Sequence, residues 1–395
     1  MTPKTVMFLP DVIGGVNSVI SNVVSFNAEL PPFKVVAYSN TTDKREQISN
    51  SPFAKNITRI SINPRNNLYF TLRKLNKAVT EPTDCIVATD SLELSMVDVL
   101  RLPNKLVFMV LGDFQHYYTN AVNYDGIIDK YIAISKEIFE KLVQLLPHRK
   151  RDITLAYFPT PPVSQKKYER RTDALHVIYA ARLDEQKNVL LLPQIDEELK
   201  NRGINVEWTI VGDGPLRSDL EAVVKSKTNF ALTGFLGNKS LHEAYLHHDI
   251  FITTSLAEGL PVSVVEAMKT GLVPVVSDIS GGLRELINNQ QNGFLCQSNN
   301  EIAFADALEK LYHNREMKKT MSVNAREFAN ATFDPIINSN KYWQLFAEAA
   351  KSEKVKIYNN SKLLLFDKSW LPNSFVRNYR DLKGNLRFLL FKRTA

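Results

Sequence analysis

Ile250-Phe-Ile-Thr-Thr-Ser-Leu-Ala-Glu-Gly-Leu-Pro-Val-Ser-Val-Val-Glu266 contains a strand, a turn and the start of a helix. The run Ile250 to Thr253 is short, apolar and β-branched, which suits a parallel strand covered on both faces. Gly259 and Pro261 then turn the chain. This places Glu258 at the strand tip and Glu266 about one turn into the next helix, with the free amides of the helix start between them. Those amides and the helix dipole suit a phosphate or a sugar oxygen, and carboxylates accept hydrogen bonds from sugar and ribose hydroxyls. Taken alone, the same residues describe a loop Glu and a solvated helix Glu, so the neighbouring segments decide between the two readings.

Outward from this segment, short apolar runs alternate with stretches of helical period, the pattern of parallel strands joined by crossover helices. In the second half, strands are expected at His176 to Ala180, Glu207 to Val211, Phe230 to Thr233, Ile250 to Thr253 and Val273 to Val276. In the first half they are expected at Thr5 to Leu9, Lys34 to Tyr38, Cys85 to Thr89, Leu106 to Val110, Tyr131 to Ile134 and Ile153 to Tyr157, with a helix over Gly15 to Glu29. Pro159, Pro161 and Pro162, followed by polar residues, break the alternation as a linker would. Asp334 before Pro335 reads as a cap and a first-turn proline, which opens a late helix running through Trp343 to Ala350. The chain thus divides into a Rossmann-like domain over residues 1–165, a second over 172–335 and a C-terminal piece over 336–395. Two doubly wound domains in tandem would face each other across a cleft at the carboxyl ends of their strands, where such sheets bind ligands.

Three further turns fall at strand ends. Ala181-Arg-Leu-Asp-Glu-Gln-Lys-Asn188 follows the opening strand of the second domain and brings out Arg182 and Lys187. Two fixed cations there can neutralise a diphosphate, one as a fork of donors and one as a point charge. Val211-Gly-Asp-Gly-Pro215 is a tight turn whose glycines serve either a ligand or the turn itself. Gly14-Gly15 holds the matching place after the first strand, where a helix start can meet a phosphate.

Together these segments resemble the retaining glycosyltransferases of the GT-B fold, family 4, also called glycosyl transferases group 1. The likeness covers Arg182 to Phe294, including Asp278-Ile-Ser-Gly-Gly-Leu-Arg-Glu285, and reaches the first half only through Gly14-Gly15 and Leu111-Gly-Asp113. It implies an α/β GT-B architecture and transfer of a sugar from a nucleotide-sugar donor, with UDP expected before GDP, to a glycan or lipid-linked acceptor of bacterial envelope polysaccharide. By the same resemblance, Arg182 and Lys187 bind the diphosphate, Glu258 the donor sugar and Glu266 the ribose, and Gly15 touches phosphate. Main-chain atoms near Gly234 and Phe235 face the base, and those of Leu260, Pro261, Val262 and Ser263 the sugar and phosphates. Asp213 is read as structural. The favoured mechanism for such enzymes is a same-face displacement in which the departing diphosphate takes the acceptor's proton, so electrostatic stabilisation is the main catalytic contribution. One departure stands out: many members carry a His near the donor sugar where this chain has Leu111, which leaves Asp113 or His116 to supply a polar contact.

Composition sets the remaining limits. With 44% apolar and 23% charged residues, the chain can bury a core and does not read as disordered. The apolar stretch Thr5 to Leu9 is too short for a signal segment or a membrane span, and two distant cysteines, Cys85 and Cys296, suit a reducing cytosol. No acid pair or Cys/His spacing indicates a metal, so a metal-independent enzyme without a bound cofactor is expected. The net charge of +7 comes from the end of the chain, where residues 351–395 carry 11 basic and 3 acidic side chains. There Leu382, Leu386 and Leu389 follow helical spacing beside Arg380, Lys383 and Arg387, with Phe388, Leu390 and Phe391 adding apolar bulk. Such a segment either lies in an anionic membrane interface, as a peripheral contact on the inner face of the membrane, or packs on the first domain. Nucleic acid is not expected as a partner, because no recognition motif accompanies the charge. Two rival readings use the same scaffold: a non-catalytic partner subunit of a glycosyltransferase, and an epimerase acting on a nucleotide sugar.

Overall fold

Seven strands form one parallel sheet: β1 (Thr5–Pro10), β2 (Phe33–Asn40), β3 (Ile57–Ile62), β4 (Cys85–Ala88), β5 (Lys105–Val110), β6 (Lys130–Ala133) and β7 (Ile153–Leu155), in the order β3-β2-β1-β4-β5-β6-β7. Helices α1 (Gly15–Ser25), α2 (Leu68–Asn76), α3 (Ser91–Val99), α4 (Gln115–Asn123) and α5 (Lys136–Leu145) follow β1, β3, β4, β5 and β6 in turn. Coverage of both faces explains why β1 is a continuous apolar run, with Val6, Met7, Phe8 and Leu9 all fully buried. The strand order reverses between β1 and β4, which pair through Thr5 with Cys85 to Met7 with Val87.

A second parallel sheet holds β8 (Leu175–Ala180), β9 (Val206–Val211), β10 (Phe230–Gly234), β11 (Ile250–Thr253), β12 (Val273–Asp278) and β13 (Phe294–Gln297), in the order β10-β9-β8-β11-β12-β13. Its helices are α6 (Leu192–Asn201), α7 (Arg217–Val224), α8 (Asn238–Leu246), α9 (Val262–Thr270), α10 (Leu283–Leu286), α11 (Glu301–His313) and α12 (Arg315–Thr332), with α13 (Pro335–Ala350) following. Here the order reverses between β8 and β11, where Val177 faces Ile250. The core beneath is built on Trp208, Tyr179, Leu192, Phe304 and Leu308, and the Trp208 indole donates to Asp196 at 2.8 Å.

This computed structural model describes residues 4–11, 14–27, 30–40, 56–79, 81–165, 168, 173–359 and 367–380. It separates into one compact unit of Met1–Ile134, Phe139–Ala156 and Ser339–Ala395 and another of Ser135–Ile138 and Tyr157–Asn338. The prolines expected to form a linker lie with the second unit. Tyr157 and Phe158 pack on Phe333 at ring separations of 5.4 and 5.1 Å, and the buried Lys269 amine donates to the carbonyls of Thr160 and Phe333 at 2.7 and 2.8 Å. Burial lowers that amine to about 8. Asp334 caps α13 by accepting from the amides of Ile336 and Ile337, and Ser339 and Trp343 of that helix donate to the Val23 carbonyl.

Two strands, β3 and β13, were not expected from the sequence, and α1 ends at Ser25 rather than Glu29. Its C-cap, Phe26, leaves helical geometry at φ −109°, ψ 16° while its N–H closes onto the Asn22 carbonyl. After α13, residues 351–359 run against the first unit with lysines turned inward. Lys354 donates to the carbonyl of Ile128 at 2.9 Å and also to that of Asp125, and Lys356 pairs with Asp129 at 3.1 Å. Among the described residues no helix is long and apolar enough to cross a membrane.

Candidate active site

β8 and β11 are neighbours, so the loops that follow them emerge side by side at the point where the strand order of the second sheet reverses. The two loops are joined along their length. The Leu256 amide donates to the Gln186 carbonyl at 2.8 Å, the Gln186 side chain donates to the Ala257 carbonyl at 2.9 Å, and the Thr254 hydroxyl donates to the carbonyls of Lys187 and Asn188 at 3.1 and 2.9 Å. This lacing fixes the two charged residues that the loops carry. Lys187 Nζ lies 2.6 Å from Glu258 Oε1, with Glu258 only 8% exposed.

Glu258 has a second partner that the sequence reading missed. Ser255 Oγ donates to the same Oε1 at 2.6 Å, and Ser255 Oγ and Thr253 Oγ1 are 2.9 Å apart. Ser255 is fully buried, so its hydroxyl has a structural commitment to the carboxylate. Beneath the loops the Tyr179 phenol is fully buried, and burial first, then the Glu258 charge, raises its pKa well above the ordinary value. That hydroxyl stays protonated.

Glycines hold the backbone around this pair. Gly281 sits at φ +105° with its α-carbon against the Glu258 carbonyl, where an added Cβ would come within 2.3 Å of that oxygen. Gly212, at φ +138°, packs on the Ala181 carbonyl in the same way, with 1.9 Å left for a Cβ. The glycines of the Val211–Pro215 turn therefore support the Arg182 loop from below.

The other expected site residues lie as follows. Arg182 is exposed, with its Nε 3.4 Å from Asp184, whose carboxylate also caps the turn by accepting from the Lys187 amide at 3.1 Å. Glu266 does not share a contact with Glu258; its carboxylate is 3.9 Å from His242 Nε2 of α8. Leu260 is buried, and Pro261 is the N-cap of α9, so the amides of Val262 and Ser263 open that helix with no side-chain cap and no acid in the first turn. Gly234 ends β10 at φ +74° beside the Arg217 guanidinium, and Phe235 is exposed. In the first unit Gly15 opens α1 behind an uncapped, extended Gly14. His116 lies in the first turn of α4, exposed, with its ring 4.3 Å from Tyr117. Asp113 is engaged by Lys141 at 2.7 Å and by the Tyr118 hydroxyl.

Two open parallel sheets, each joined by crossover helices, with charged loops at the reversal point of the second, define the GT-B class of fold. Within that class, residues 162–328 match the family described as Glycosyl transferases group 1. EpsF of Bacillus subtilis is 37% identical over 107 residues, 27% of this chain and 28% of its own. The GalNAc-alpha-(1->4)-GalNAc-alpha-(1->3)-diNAcBac-PP-undecaprenol alpha-1,4-N-acetyl-D-galactosaminyltransferase of Campylobacter jejuni is 31% identical over 153 residues, 38% of this chain and 42% of that enzyme. The chain thus matches less than half the length of these curated relatives. Over the whole fold, Anabaena HepE in complex with UDP-glucose superposes with a TM-score of 0.70 at 17% identity, covering 87% of this chain and 99% of HepE.

Proposed function

We propose that the protein is a retaining, metal-independent glycosyltransferase that moves a hexosyl or hexosaminyl group from a UDP-sugar to a glycan or lipid-linked acceptor in bacterial envelope polysaccharide synthesis. The observation that carries this reading is the 2.6 Å pair of Lys187 and Glu258 at the reversal point of the second sheet. A cation and an acid held together there suit a ligand with a diphosphate next to a hydroxyl-bearing ring. The UDP-glucose complex of HepE and the undecaprenol-linked glycan in the name of the Campylobacter enzyme support the choice of donor and acceptor classes.

In this reading Lys187 and Arg182 take the diphosphate, with the uncapped amides of Val262 and Ser263 and the α9 dipole adding partial positive charge. Glu258, fixed by Ser255, accepts hydrogen bonds from sugar hydroxyls through its remaining lone pairs. Glu266 accepts from the ribose, and the backbone near Gly234 and Phe235 meets the base. The backbone at Leu260 and Pro261 lines the sugar. The bond from the anomeric carbon to the diphosphate breaks as the acceptor oxygen attacks from the same face, and the departing diphosphate takes the acceptor's proton. Catalysis then comes from stabilising the charge on the leaving group. The protein works at the cytoplasmic face of the membrane that holds its acceptor.

Calorimetric titration with a panel of UDP- and GDP-sugars tests the donor assignment, and the anomeric configuration of the product by NMR tests retention. One donor binding at least tenfold tighter than the others is the expected result. Absence of binding by every nucleotide sugar would overturn the reading.

A further inference from the structure

Residues 367–380 of the first unit form a short ordered segment, helical over 373–380, attached to the start of α2 by buried polar bonds. Asp367, 2% exposed, accepts from the Leu68 amide at 2.7 Å. The fully buried Asn67 side chain donates to the carbonyls of Lys368 and Leu371, both at 2.8 Å, and the Arg380 guanidinium reaches both Asp367 oxygens at 2.9 and 3.0 Å. Val376 is buried beneath the helix, yet Trp370, Phe375 and Tyr379 are 72, 54 and 38% exposed. Of the five aromatic side chains exposed among the described residues, three fall within these ten positions. A fixed segment that turns its aromatic residues outward is unusual for a surface that faces only water.

The surface it is attached to is cationic. Residues 56–79 carry Arg59, Arg65, Arg73, Lys74 and Lys77 and no acid. Four cations, Lys34, Arg59, Lys74 and Lys77, line a cavity of about 280 Å³ between β3 and α2. Fixed, exposed aromatic rings beside cations match the headgroup layer of an anionic bilayer, where Trp and Tyr settle and Lys and Arg meet lipid phosphate.

We propose that this face of the first unit, centred on Trp370 and Phe375, seats on the headgroup region of an anionic membrane. The inference extends the reading of a lipid-linked acceptor. Vesicle binding is measured without donor or acceptor, so either idea can fail without the other.

The full chain is mixed with vesicles of phosphatidylcholine containing one quarter phosphatidylglycerol, or of phosphatidylcholine alone, and binding is followed by sedimentation and by tryptophan emission. Trp208 and Trp343 are 1 and 5% exposed, so a blue shift and quenching by brominated acyl chains report Trp370. Binding at least tenfold tighter to the anionic vesicles is expected. The W370A/F375A variant should weaken it at least tenfold and an R73Q/K74Q/K77Q variant at least fivefold, while turnover on a soluble acceptor stays unchanged. The replaced aromatic side chains are exposed, and near-ultraviolet circular dichroism verifies that the fold is kept. Failure to bind the anionic vesicles, binding without an emission change, or undiminished binding by the aromatic variant would each overturn the proposal. So would binding to single-stranded DNA, in the absence of vesicle binding, that the aromatic variant loses.

Discussion

Glu258 Oε1 accepts two hydrogen bonds of 2.6 Å, one from an ammonium and one from a hydroxyl, and the two donors differ in what their loss leaves behind. Replacing Lys187 by Met leaves a buried carboxylate with Ser255 as its remaining partner among the bonds described, a loss of about 2 kcal/mol. Glu258→Gln leaves Lys187 with one-fifth of its side chain already in solvent, and the destabilisation should be less than half as large. Urea denaturation of the two variants checks this asymmetry; equal losses would mean that the pair is not buried as described. On activity, Glu258→Ala should lower kcat roughly 100-fold or more, the scale for removing a fixed polar contact to the reacting group. Ser255→Ala should lower kcat about tenfold with little change in donor KM, and Ser255→Thr should recover most of the loss. That Lys187 and Glu258 sit on loops following apolar strands could be read from the sequence, and the two strands prove to be neighbours. Ser255 could not, since a serine two residues beyond a strand looks like any turn residue until loop closure places it on the carboxylate.

At the scale of single elements, α3 shows how an ordinary cap can become pH-sensitive. Asp90 and Glu93 form a capping box at its start, with Glu93 Oε2 accepting from the Asp90 amide at 3.0 Å, but Glu93 is fully buried. Burial, and after it the nearby Asp90 charge, raises the Glu93 carboxyl from 4.5 to about 8. The folded state then holds a proton that the unfolded chain releases above pH 4.5, so this contribution to stability is complete below about pH 4.5 and is lost as pH rises through about 8. Glu93→Gln keeps an oxygen for the Asp90 amide without the ionisable group. Relative to the variant, the native chain should lose on the order of 3 kcal/mol between pH 4.5 and 8.5, measured as the difference between their urea midpoints across that range. A constant difference would show that Glu93 titrates normally. The elements themselves were legible where strands are central: β1, β8 and β11 are buried on both sides and read as mostly apolar runs, interrupted in β8 only by His176. The two unexpected strands lie at sheet edges, β3 at one end of the first sheet and β13 at one end of the second. An edge strand needs less apolar surface, so its pattern is fainter: in β3 only Ile60 is buried.

Across the whole molecule, alternation of strands and helices was enough to indicate two parallel sheets, but the end of the chain was harder to read. Lys354 and Lys356 look like solvated charges in sequence, yet both turn inward onto the first unit, and Lys356 meets Asp129, which is itself only 4% exposed. The leucine-rich residues 381–395 lie outside the described residues, and the contacts described for the C-terminal piece are those of Lys354, Lys356 and Asp367 with the first unit. A chain ending at Ala350 would lose the Lys356 partner of Asp129, leaving Lys105 at 3.9 Å, and would also lose the Asp367 cap on α2. Removing one member of a buried ion pair typically costs about 3–5 kcal/mol, and Lys356 is 5% exposed against a fully buried Asp129 side chain. Asp367→Ala removes the bond to the Leu68 amide together with the ion pair to Arg380, an effect of about 1–3 kcal/mol. Thermal unfolding followed through Trp343, whose indole donates to Val23 in the first unit, should therefore order the proteins as full chain, Asp367→Ala, then truncation. Nucleotide binding by the second unit should persist in all three if its charged loops hold the donor independently. A truncated chain as stable as the full one would mean that residues 351–380 are a passenger on the first unit, and the contacts of Lys356 and Asp367 would then contribute nothing measurable to its folding.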